Sequence, residues 1–148
     1  MQVNSVLAPQ TDRVLRWARG VFGVIAAASA VTVLAAFVLQ RVHPELVNWV
    51  VWLRAAAYTV GGLWLLALVR SARQTASRSA LLRMRVICML APLGIAALVI
   101  SPDSGYPAWM KVEQAVFGLI LVPLAVALLR PSVARDFRRA RQVSTVAP

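Results

Sequence analysis

The chain has 148 residues, is 60% hydrophobic, and sets sixteen Lys and Arg against five Asp and Glu for a net charge of +11. Soluble domains hold about 45–50% apolar residues and interrupt them every few positions; the mean hydropathy of +0.73 excludes that class. The single cysteine and single histidine, Cys88 and His43, exclude an internal disulfide, a Cys-x-x-Cys thiol oxidoreductase and a zinc ligand set.

Residues 1–10 are polar, contain Pro9 and are expected to be loose, with Thr11 or Asp12 capping a helix that begins at a membrane surface. The first apolar run, 21–39, is longer than the core of a signal peptide and lacks a small-x-small cleavage site, so it is expected to stay as a span. A tight loop over 40–46 holds Pro44 and an exposed His43. The second run is 47–69, and a polar inner linker over 71–79 follows. The third run, 86–100, is short unless 81–85 joins it with its arginines reaching back to the surface. A turn-rich connector over 101–107 leads to the fourth run, 108–129, and a basic tail. A bilayer core is about 30 Å thick and takes about 20 apolar residues to cross as a helix, which each run meets or nearly meets. The runs are too long and continuous for the alternating strands of a membrane barrel.

The expected fold is therefore all-α: one integral membrane bundle of four transmembrane helices, spans at about 20–40, 47–69, 82–100 and 108–129, with a basic linker at 70–81 and a basic tail at 130–148. Short loops make neighbours antiparallel in an up-down bundle. A weak repeat at a shift of sixty residues places Trp49 on Trp109, Ala55 on Ala115 and Arg70 on Arg130. Gly23 with Ala27, and Ala57 with Gly61, form small-xxx-small pairs suited to close helix contact. Gly61-Gly62, Pro92 and Pro123 predict loosened turns.

Arginine sets the orientation. Arg13, Arg16 and Arg19 precede the first span; Arg70, Arg73, Arg78, Arg83 and Arg85 lie in or beside the linker; Arg130, Arg135, Arg138, Arg139 and Arg141 lie in the tail. The opposite side has only Arg41 in its first loop. Short loops rich in Lys and Arg stay cytoplasmic, so both termini are expected inside the cell membrane. The ten arginines of linker and tail are expected to meet anionic lipid of the cytoplasmic leaflet rather than nucleic acid, for which no folded soluble surface is foreseen. The tail is expected to form a short amphipathic extension of the fourth span. Trp49, Trp52, Tyr106 and Trp109 at the outer ends, and Trp17 at the inner end, read as interfacial anchors. The near-absence of lysine fits a GC-rich, bacterial coding sequence.

Inside the spans, Arg54 and Glu113 need an explanation. Arg54 lies about 10 Å below the outer entry of its span and Glu113 about 8 Å, at 1.5 Å per residue. Both spans run inward, so the two meet at similar depth. An ion pair is expected, with Gln114 beside it and Tyr58 or Thr59 near, while Lys111 snorkels outward. No histidine–carboxylate set surrounds any serine, and no catalytic, metal or cofactor motif is present, so no enzyme activity and no cofactor are expected. The expected role is an accessory, assembly or scaffold subunit that binds another membrane protein or a second copy; the alternative is a small oligomeric transporter or channel using Glu113 and Arg54.

Overall fold

The computed structural model describes residues 7–101 and 107–146. Five α-helices follow in order: α1 Pro9–Val42, α2 Trp49–Thr75, α3 Arg78–Ile100, α4 Ala108–Leu129 and α5 Pro131–Val146, with a 3₁₀ turn over Pro44–Leu46. No strand occurs among the described residues. Tyr106 and most of the connector 101–107 lie outside the described residues, as do residues 1–6 and the side chain of Arg141.

Each boundary has a local cause. Pro9 opens α1 at its first position, where its missing N–H costs nothing, and Asp12 sits in the positive first turn. Thr11 and Asp12 are thus inside the helix and do not cap it, contrary to the sequence expectation: Ala8 holds the cap position and makes no side-chain bond. Pro44 then prevents α1 from continuing. The Asn48 side chain accepts from Val51 N at 3.2 Å and caps α2.

The basic linker between the second and third apolar runs has little irregular structure. It is helix almost throughout, because α2 runs to Thr75 and α3 starts at Arg78. The break is Ala76, in the left-handed region at φ 47° and ψ 38°, followed by Ser77, whose hydroxyl accepts from Ala80 N. Arginine is a strong helix former, and the scattered serines do not outweigh it over so short a stretch. The tail differs too. It is not an extension of α4 but a separate helix, since Pro131 forces Arg130 into an extended conformation (φ −53°, ψ 134°).

The core follows α1 at helical spacing through Leu15, Ala18, Phe22 and Ile25. It continues through Leu68 and Ala72 of α2, Leu81, Met84 and Cys88 of α3, and Leu121, Leu124 and Leu128 of α4. Val133, Phe137 and Ala140 of α5 join it, so α5 is docked on the bundle. A second cluster of Ala36, Val51 and Met110 lies at the far end. Packing is densest between α1 and α2 and between α3 and α4.

The small residues that allow the closest approach are not the expected pairs. Gly23, Ala27, Ala57 and Gly61 are all partly or fully exposed. The contact is one residue away: a Cβ on Gly62 would stand 2.8 Å from Ala26 Cβ and 3.1 Å from its Cα. Gly118 meets Ile95 in a looser version of the same contact. Adjacent glycines and a run of alanines offer several registers, and only the phase of the facing helix selects one.

Helices α1 to α4 are each long and apolar enough to cross a membrane. Only 17–39% of the most apolar stretch of each is buried. Val31, Leu34, Leu53, Leu63, Leu93 and Leu119 point outward. A water-soluble bundle would place polar residues there, and an apolar surface of this extent suits lipid.

Candidate functional site

Three helices bring polar side chains together within the spans. Arg54 of α2 is 2% exposed at its side chain, and its Nη1 donates to Glu113 Oε2 of α4 at 2.9 Å. Thr32 of α1 completes the carboxylate: its hydroxyl lies 3.0 Å from Glu113 Oε1 and also 3.0 Å from the Ala28 carbonyl. Its one proton is better placed toward the charged acceptor. Gln114 is fully buried against the other edge of the guanidinium. Its amide is consistent only with the oxygen facing Arg54, where it accepts from Nε and from Nη2 at 2.5 Å while its nitrogen donates to Tyr58 Oη at 2.9 Å. The opposite orientation would aim N–H groups at N–H groups.

Aromatic faces close the remaining sides. The Arg54 Cζ stands 4.8 Å from the Tyr58 ring centre and 5.8 Å from that of Phe117. The two rings stack on each other at 6.2 Å. A guanidinium is planar and weakly hydrated, which suits it to a flat aromatic cage with a carboxylate at one end. Both carboxylate oxygens and Nε, Nη1 and Nη2 of Arg54 are engaged within the chain. Chemically this is a clamp across α1, α2 and α4.

Arg54, Glu113 and Gln114 are therefore together, with Tyr58 among them. Thr59 is not: its hydroxyl bonds the Ala55 carbonyl one turn back in its own helix. Sequence reasoning missed Thr32 and Phe117. A threonine in an apolar run carries no signal by itself; its depth, about ten residues from the outer end of α1, is the one clue that would have found it.

Two cations cap helix ends across the α3–α4 pair. Lys111 Nζ donates to the Ser101 carbonyl at the end of α3 at 2.7 Å. Arg85 Nε donates to the Leu128 carbonyl at the end of α4 at 2.8 Å, with Nη2 at 3.5 Å from the Arg130 carbonyl. The last carbonyls of a helix lack partners within it and carry the negative end of its dipole, so a cation there is stabilising.

The basic end has its own ties. Asp12 accepts from Arg73 Nε at 2.9 Å and pairs with Arg16 at 3.3 Å. Thr11 donates to Asp136, which fastens α5 to the start of α1. Of the arginines expected at lipid, Arg70, Arg78, Arg83, Arg130, Arg135, Arg138 and Arg139 are exposed, while Arg73 and Arg85 spend donors on the protein. Trp17 and Trp49 are exposed near opposite ends of the bundle. Among the described residues no group of three or more His, Cys, Asp or Glu side chains gathers. No family model, curated protein or solved structure matches the chain.

Proposed function

We propose that the chain is a multi-pass protein of a bacterial cell (inner) membrane, its four spans antiparallel and both termini cytoplasmic. It acts by binding, as an accessory, assembly or scaffold subunit for another membrane protein, and catalyses no reaction. The orientation is supported by thirteen arginines in the three segments of one side against Arg41 in the first loop of the other. The contacts 12 to 73, 26 to 62 and 85 to 128 are those of helices that alternate in direction.

The observation that carries the binding role is the closure of the Arg54–Glu113 cluster. Paired charges inside a membrane also occur along transport and proton pathways; what favours a fixed clamp here is that every charged atom of the pair that is described has a partner in the chain and the Arg54 side chain is 2% exposed. Such a cluster fixes helix register and leaves the lipid-facing surface and the arginine-rich ends for partners.

The test is purification from native membranes in mild detergent, with mass spectrometry of what co-elutes. A membrane protein at fixed stoichiometry is the expected result. A pure homo-oligomer that moves solute in liposomes, with flux lost in Glu113→Gln, would replace this reading with transport.

A further inference from the structure

A groove of about 670 Å³ opens between the start of α1 and the end of α2. That size falls within the roughly 300–1,000 Å³ of small-molecule sites. Arg19, Arg70 and Arg73 line it, with Asp12 at its polar end and Leu66 and Ala67 on its wall. Val69 forms the buried floor.

The lining is graded along the helix axes. On α2 the apolar residues 66, 67 and 69 come first and Arg70, Arg73 and Gln74 follow, over about 12 Å at 1.5 Å per residue. On α1 Arg19 and Asp12 both precede the apolar run that begins at Val21. One end of the groove therefore belongs to the span and the other lies beyond it.

The charges are unbalanced and available. Asp12 is taken by Arg73 and Arg16. Its bond to Arg73 runs through Nε and holds that side chain in the groove. Among the described residues neither Arg19 nor Arg70 has a hydrogen-bond or ion-pair partner. Among its lining residues Arg19, Arg70 and Arg73 stand against Asp12 alone, a net charge of +2.

We propose that this groove binds one anionic phospholipid. Arg19, Arg70 and Arg73 hold its phosphate, and an acyl chain lies over Leu66 and Ala67. Guanidinium groups match phosphate geometry, and basic pockets between spans on the cytoplasmic side are suited to lipid headgroups. The apolar wall commits the site to a lipid over a free phosphate, which would leave Leu66 and Ala67 uncovered. The inference rests on the membrane placement proposed above.

The experiment is native mass spectrometry of the full chain in mild detergent, titrated with phosphatidylglycerol and, separately, phosphatidylcholine. One phosphatidylglycerol per chain is expected, with phosphatidylcholine at least tenfold weaker. The Arg19→Gln/Arg70→Gln protein should bind phosphatidylglycerol about 25-fold more weakly, roughly fivefold for each arginine near a membrane surface. Arg138→Gln/Arg139→Gln removes the same charge from α5, whose arginines face the leaflet at large and do not line this groove, and should leave the affinity for the single groove lipid in detergent unchanged; millimolar inorganic phosphate should not displace that lipid. Equal losses in the two double variants, no preference between the lipids, or displacement by phosphate would each overturn the site. Cell fractionation separates this from the placement. A chain found in membranes that retains no phosphatidylglycerol overturns the site alone; a chain absent from membranes overturns both.

Discussion

Replacing Glu113 with Leu is expected to destabilise the bundle by about 3–5 kcal/mol, the cost of stranding one partner of a buried ion pair. The remaining Arg54 side chain is 2% exposed and has no route to water. Arg54→Met should cost less. Glu113 is 20% exposed and keeps its bond from Thr32. The double variant Arg54→Met/Glu113→Leu should recover most of the loss, because it leaves no charge unpaired. Unfolding in mixed detergent micelles, followed by circular dichroism, gives the three values. Losses that simply add would mean that the two side chains act independently and that the clamp does not join the helices.

Gly62→Leu is expected to cost about 3 kcal/mol, the upper end for overpacking a filled interface, whereas Gly61→Leu should be neutral or stabilising. The glycines are adjacent but see different surroundings. A Cβ at 62 collides with Ala26 Cβ and Cα, atoms that no rotamer change can move, so α1 and α2 must separate. A Cβ at 61 meets nothing within 4 Å, and leucine gains close to 1 kcal/mol of helix propensity over glycine. The same unfolding assay reads both signs. Equal effects would show that α1 and α2 do not meet at Ala26 and Gly62.

What could be read from sequence depended on how far each signal reached. The four long apolar helices were visible because a run of some twenty apolar residues is long enough to cross a bilayer as a helix. The meeting of Arg54 and Glu113 was foreseeable because their depths could be counted from the span ends. Rotational phase was not: Gly61 and Gly62 look alike until Ala26 is placed opposite one of them. Thr32 was invisible for the same reason, since a hydroxyl in an apolar run can as well return its proton to its own helix, as Thr59 does. Arg85 looked like a snorkelling residue because nothing local announces that the end of α4 lies beside it. The tail was legible as an amphipathic helix, but its separation from α4 and its docking on the bundle through Val133, Phe137 and Ala140 were not, and the helical character of the linker was masked by its charge. Ala76 and Pro131, the two positions that break the helices there, mark the true boundaries.

The measurement that bears most directly on the central claim is the sidedness of three exposed positions. In a Cys88→Ala background, Glu45→Cys, Ser79→Cys and Arg138→Cys are each probed with a membrane-impermeant maleimide, on intact cells and after permeabilisation. Four antiparallel spans with both termini inside predict labelling of position 45 in intact cells and of positions 79 and 138 only after permeabilisation. Labelling of 79 or 138 in intact cells, or of 45 only after permeabilisation, would contradict it.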